Sequence, residues 1–218
     1  MIIEHDNAME AWLEALDASM NSPIRFMDEN NNECHEILGL SVTIMNPDTV
    51  KEPLIAMRSM GPWHYPTNEE LGEVIMQPNR GGFPYTYGNR IFAYNNYNQI
   101  EEFIIPLLSQ EPNSRRAVLT VWDPIKDSNH KNRNVPGLIA VDFKLREGKI
   151  NVTGMVRSAD LLFGWPANIY QISLLQEYVS KRIGCNRGMI KTYMTSAHVF
   201  TYQYDYIEEL LRAYSKKG

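Results

Sequence analysis

Two apolar stretches, residues 138–145 and 150–156, flank Arg146-Glu147-Gly148-Lys149, and nothing else in the chain limits its fold so narrowly. Both stretches are rich in Val, Ile, Leu and Phe, which suit a pleated surface. Gly148 supplies the backbone angles that a tight hairpin turn requires. Soon afterwards the apolar period changes from two to about 3.6. Ile169, Ile172, Leu175, Val179 and Ile183 then share one face of a long helix, stopped at Gly184. A hairpin followed by an amphipathic helix buries both apolar faces when the helix lies on a sheet, so the fold class is α+β.

The remaining segments extend this reading. Residues 117–122 and 189–195 read as further strands, and residues 37–44 as another, closed by Pro47. Met9, Trp12, Leu13, Leu16 and Met20 predict a helix over residues 8–20, capped by Asp6 or Asn7. Ile100, Phe103, Ile104 and Leu107 predict one over residues 98–110, although Pro106 would remove a hydrogen bond from its interior. Ile207, Leu210, Leu211 and Tyr214 mark a closing helix. Residues 59–84, rich in Gly, Pro and Asn, read as a loop-rich, partly helical lid, and residues 126–134 as a polar surface loop. No repeat or linker divides the chain, so residues 1–218 are expected to form a single domain, large enough for its own core.

Composition excludes several classes. No apolar run approaches the roughly 18 residues of a membrane span. The start, Met-Ile-Ile-Glu-His-Asp, lacks a secretory leader's pattern. Two cysteines, Cys34 and Cys185, are too few for a disulfide framework and suit a reducing cytoplasm. A net charge of −5 argues against a nucleic-acid polymer as partner, since duplex binding needs a broad basic face. It leaves room for a mononucleotide, whose phosphate needs only local arginines. The five histidines show no metal-ligand spacing, so no metal is expected.

Chemistry concentrates in residues 157–168, Arg-Ser-Ala-Asp-Leu-Leu-Phe-Gly-Trp-Pro-Ala-Asn. Arg157 can meet a phosphate with a planar fork of donors. Asn168 carries an acceptor and two donors on one plane, matching a base edge, or it caps the helix that begins at Ile169. Gly164 and Pro166 would fix the turn that aims both inward. Asp160 is a candidate binding carboxylate, with a turn or capping aspartate as the alternative.

In order and spacing this run resembles the nucleotide-binding signature of the thymidylate synthase family, R-S-x-D-x-x-x-G-x-P-x-N. Ser114-Arg115-Arg116, Tyr85-Thr86-Tyr87-Gly88 and Ser196-Ala197-His198-Val199-Phe200 resemble further family segments, in family order over roughly residues 80–205. Trp-Pro-Ala-Asn, Ser-Ala-His and the short chain look most like the compact archaeal-type branch.

The resemblance implies a mixed sheet with packed helices whose face forms a homodimer interface, with active sites shared between subunits. It implies a transferase that moves a methyl or hydroxymethyl group from 5,10-methylenetetrahydrofolate to a pyrimidine nucleoside monophosphate. By resemblance, Arg157 and Ser158 hold the phosphate with Arg115 and Arg116 of the second subunit. Asn168 reads the base and favours uracil, Tyr87 orders water near C5, His198 binds the sugar, and Asp160 binds the folate. The family's tyrosine partner of His198 is Phe200 here, which leaves ribose and deoxyribose both open. The early phosphate arginine has no counterpart in Asp28-Glu29-Asn30-Asn31-Asn32, and Glu69 or Glu70 would be the general base.

One departure stands out. The family's nucleophilic cysteine follows a proline, twenty residues before the signature arginine, and adds to C6 of the base. Here Pro136 precedes Gly137. Three readings follow: a homologue with different chemistry, a nucleotide-binding sensor without turnover, or an engineered nucleophile knockout. Cys34 and Cys185 lie in other segments and read as inert thiols.

Overall fold

The protein is described from a computed structural model, which describes residues 1–79 and 81–214. Arg80, inside the lid reading, falls outside that set.

The predicted hairpin is part of an eight-stranded mixed sheet. Its strands are β5 (Leu138–Arg146) and β6 (Lys149–Val156), closed by the pair Arg146 and Lys149. Glu147 (φ 51°) and Gly148 (φ 70°) both lie in the left-handed region, as a two-residue turn matched to strand twist requires. β4 (Val118–Thr120) runs antiparallel to β5 on one side. On the other side β8 (Asn186–Phe200) runs parallel to β6, β3 (Glu33–Ile44) antiparallel to β8, and β1 (Ile2–His5) parallel to β3. β2 (Ile24–Met27) pairs with the start of β3, and β7 (Ala159–Asp160) with the end of β8.

Helices cover the sheet where its residues are apolar. α1 (Ala8–Met20) is capped by Asn7, whose side chain accepts from Met9 N and Glu10 N, and it buries Trp12 and Leu16. Two short helices follow, α2 (Glu52–Ser59) and α3 (Asn68–Met76), then α4 (Tyr87–Phe92) and α5 (Ile105–Gln110). α6 (Gly164–Ile183) buries Trp165, Ile169, Ile172, Leu175 and Val179, and α7 (Tyr204–Tyr214) buries Ile207 and Leu210.

Two expectations need correction. α6 begins at Gly164, not Ile169, so Asn168 lies inside the helix and is not its cap. Gly164 and Pro166 therefore start a helix and form no turn; a proline in the first turn removes no intrahelical bond. The helix expected over residues 98–110 continues past Pro106, because Ile100–Ile104 widens into a π-helical turn just before it. β1, β2 and α2 escaped the sequence reading: β1 has four residues, and every residue of β2 is exposed, so neither shows an apolar period.

One backbone feature divides the sheet. Along β3 the apolar residues Leu40, Val42 and Ile44, two apart, are all buried, yet Leu38, in phase with them, is 60% exposed. Gly39 between the two has φ 70°. A left-handed residue in a strand breaks the alternation and re-aims what precedes it. β8 answers with its own break: Ile190, Thr192 and Met194 are buried, then Ala197 and Val199. Beyond these breaks Glu36 lies opposite His198, and Cys34 opposite Phe200. Those four side chains line an open cleft.

Candidate functional site

The cleft has a volume of about 810 Å³ and lies between three segments: β2 with the following loop, the ends of β3 and β8, and the loop of residues 129–135. Arg157, Ser158 and His198, three of the candidate site residues, line it together with Phe200. Asp28, Glu29 and Glu36 add carboxylates to its wall, and Arg133 reaches across the mouth to Glu29 at 3.8 Å.

The twenty-residue spacing between Gly137 and Arg157 is the hairpin itself. Arg157 N donates to Gly137 O at 2.9 Å, so the two residues face each other across the open end of β5 and β6. Arg157 also clamps this turn, with Nε donating to Pro136 O at 2.9 Å and Nη2 to Val135 O at 3.2 Å. A guanidinium has five N–H donors, which leaves donors for an anion.

Gly137 sits in ordinary backbone space, absent from the left-handed glycines. A Cβ built there would lie 3.1 Å from Ser158 O and 3.9 Å from the Tyr87 hydroxyl. The position thus accepts a side chain once Ser158 yields by a few tenths of an ångström, and it points at Tyr87. The Tyr87 hydroxyl accepts from Leu138 N at 3.5 Å and is hydrogen-bonded by the Asn168 side chain. Burial raises its pKa, so it is protonated at neutral pH. Gly137, Tyr87, Asn168, Arg157 and Ser158 therefore form one constellation, drawn from α4, α6 and the segments just before β5 and just after β6.

Asp160 plays the turn role that its sequence position allowed. Its Oδ1 accepts from Leu162 N at 2.9 Å and Phe163 N at 3.1 Å, guiding the chain into α6. Its Oδ2 accepts from Gln203 Nε2 at 3.0 Å. Burial pushes its carboxyl pKa up, against the hydrogen bonds from Phe163 and Gln203. Register places His198 beside it on β8. Burial lowers the His198 pKa, so its imidazole is neutral at pH 7. Its Nδ1 is buried and has no hydrogen-bond partner among the described residues.

Arg115 and Arg116 are not in the cleft. Both are exposed in a separate hollow formed by residues 111–116, where Arg116 pairs with Glu111 at 2.9 Å. Glu70 is engaged in the capping box of α3, accepting from Thr67 N at 2.8 Å, and Glu69 is exposed on the same turn. Neither lines the cleft.

The two thiols do not replace the missing one. Burial pushes Cys34 up to about 11, helped by the charges of Asp28, Glu36 and Asp160. Cys185 is raised by burial as well. Both are protonated at neutral pH and hence poor nucleophiles. Among the described residues no group of three His, Cys, Asp or Glu could hold a metal ion, and no helix is long and apolar enough to cross a membrane.

Sequence reasoning missed the support behind the 123–135 loop. Arg90 on α4, 5% exposed, makes a bidentate pair with Asp127 at 2.8 and 2.9 Å and donates to Val121 O. Asp123 accepts from the Tyr94 hydroxyl at 2.6 Å. The only signal was an Arg and two Asp among apolar neighbours, which sequence reads as surface. Glu36 was missed too, since a charged residue in a strand ordinarily faces water.

The family model described as thymidylate synthase matches residues 42–217. The chain is 35% identical over 212 residues to "Putative thymidylate synthase" of Methanosarcina acetivorans, covering 97% of this chain and 94% of that protein. A protein of the same name from Methanosarcina mazei is 34% identical with the same coverage. Another, from Methanothermobacter marburgensis, is 30% identical over 220 residues, 96% of this chain and 97% of that one. The signature run, the hairpin that sets Gly137 against Arg157 and these matches agree: the chain belongs to the thymidylate synthase family.

Proposed function

We propose that the chain is a folate-dependent one-carbon transferase acting on a pyrimidine nucleoside monophosphate, a uridylate, with the family's usual nucleophile absent at Gly137. The observation that carries this reading is the meeting of Arg157, Ser158, Tyr87, Asn168 and Gly137 in one constellation beside the cleft. Arg157 and Ser158 take the phosphate. Asn168, inside α6, matches the uracil edge through its amide. Tyr87, protonated and held between Leu138 N and Asn168, keeps a hydroxyl proton at the reacting face of the base.

The residues present fit a folate. A depression lined by Trp63, Tyr65, Phe163 and Ala167 offers an apolar surface for a flat ring. Asp160 lies next in chain to Phe163's turn and keeps acceptor capacity, since a carboxylate has about four lone-pair sites and three are taken. When bound, methylenetetrahydrofolate supplies the one-carbon unit.

The working form is a homodimer of single-domain subunits, 1–218, in the cytoplasm. Exposed Leu38, Met155 and Tyr193 on the uncovered sheet face favour packing through that face, with Met155 and Tyr193 opposite each other in register. Arg115 and Arg116, remote from the cleft of their own chain, would then serve the partner's phosphate site. Neither a nucleic-acid polymer nor a membrane is part of this reading. A second reading, a nucleotide-binding homologue without turnover, is favoured by Gly137 itself and by the protonated state of both thiols.

The test is direct. Titration calorimetry should show a uridine monophosphate binding better than its nucleoside, with Arg157→Ala losing about tenfold or more, as charge-assisted contacts of 1.5–3 kcal/mol require. Equal binding of nucleoside and nucleotide would remove the phosphate site. Gly137→Cys, given 5-fluoro-dUMP and methylenetetrahydrofolate, should form a covalent ternary complex by mass spectrometry, and the chain as written none. If that variant binds nucleotide but stays inert, the sensor reading replaces the transferase.

A further inference from the structure

Glu36 has no role in the reading above, yet it stands on the wall of the same cleft. It lies on β3 opposite His198 of β8, beyond the break at Gly39. The Ser196 hydroxyl donates to its Oε1. Among the described residues its Oε2 accepts nothing, and His198 Nδ1 beside it is buried without a partner. Asp28 lies on the same wall. A phosphate dianion would be repelled here, so the anionic end of a ligand belongs at Arg157 and Ser158. The acidic wall calls instead for neutral hydrogen-bond donors. On a pyrimidine nucleotide, away from the base, those donors are the sugar hydroxyls.

We propose that Glu36 and His198 select a ribonucleotide over a deoxyribonucleotide, the carboxylate accepting hydrogen bonds from vicinal 2′- and 3′-hydroxyls. The inference rests on the nucleotide reading above and narrows it to a sugar. One carboxylate spans two adjacent hydroxyls on the same face of a ring, whereas a deoxyribose presents one. A site built to receive a hydroxyl rejects the analogue that lacks it, because the group left facing it has lost water without gaining a partner. Phe200 agrees with this division. It meets His198 edge-on with ring centroids 5.1 Å apart and contributes no hydroxyl of its own, so polar recognition on this wall falls to Glu36, Ser196 and His198.

Titration calorimetry of the full chain with UMP, dUMP and arabinosyl-UMP tests this. UMP should bind about tenfold or more tightly than dUMP, from the worth of one hydrogen bond to a charged group. The arabinosyl epimer, whose 2′-hydroxyl lies on the other ring face, should bind like dUMP. In Glu36→Gln the preference for UMP should shrink toward unity. Equal or tighter binding of dUMP by the unaltered protein overturns the proposal while leaving the nucleotide reading intact. A UMP preference that persists in Glu36→Gln also overturns it, by taking the role from Glu36. If none of the three nucleotides binds, the nucleotide reading itself fails and this inference with it.

Discussion

Strands β3 and β8 run side by side through two different environments. From Leu40 to Ile44 and from Ile190 to Met194 their alternate residues are buried under helices. From Cys34 to Leu38 and from Ser196 to Phe200 the same two strands line an open cleft with a thiol, a carboxylate, a hydroxyl and an imidazole. The switch is local. Gly39 at φ 70° re-phases β3, and the residues after Met194 re-phase β8 to match. Pairing continues through both halves, so the cleft wall inherits the rigidity of the core without its apolar filling. A site on a continuous strand is held more precisely than one on a loop.

The sharpest way to break this comparison is to truncate the same residue type in each half. Leu40→Ala should cost about 2–5 kcal/mol in urea unfolding, because it leaves a cavity under the helices. Leu38→Ala, two positions away and 60% exposed, should fall within about 0.5 kcal/mol in the isolated subunit. Comparable losses would mean that the two halves share one environment. A larger loss at Leu38 only when the protein is dimeric would mark that face as the subunit interface.

Substituting the switch itself comes next. Gly39→Ala places a Cβ in the left-handed region, which costs roughly 1–2 kcal/mol. The added atom meets the Tyr193 hydroxyl at 3.5 Å, an ordinary contact, so the penalty is conformational and not steric. Binding of a nucleotide in the cleft should weaken with it, because Glu36 is aimed by this residue. Unchanged stability together with unchanged binding would show that the strand phase is set elsewhere.

The smallest effect separates the cleft's loop wall from the core by pH. Asp123 is held down to about 2 by the Tyr94 hydroxyl and by the backbone N–H groups of Lys126 and Ile125, against 3.8 in a free chain. Its folded pKa is depressed, so its stabilisation is fully present above the unfolded value and is lost as pH falls through the folded one. Between about pH 4 and pH 2, amide hydrogen exchange in residues 123–135 should therefore accelerate. The amides of α6, whose Trp165, Ile169, Ile172 and Leu175 are buried against the core, should stay protected longer. Simultaneous loss in both would make the loop part of the same cooperative unit as the core.

The sequence by itself determined the hairpin at Glu147-Gly148, the long helix ended at Gly184, and the α+β class. Each is written locally, in an apolar period, a turn glycine or a cap. It also set Gly137 against Arg157, because their twenty-residue spacing is the length of a hairpin plus a turn, whereas Tyr87 and His198 were marked by resemblance alone. Only the tertiary structure decided the rest. Asn168 became a helix residue and not a cap because α6 found its start on the buried Trp165. Asp160 became a turn anchor because two backbone N–H groups and Gln203, 43 residues later in the chain, converge on it. Arg90, Asp127 and Glu36 looked like surface charges in one dimension. Their environments are made by segments distant in sequence, and burial, pairing and strand phase are properties of that packing that no local pattern encodes.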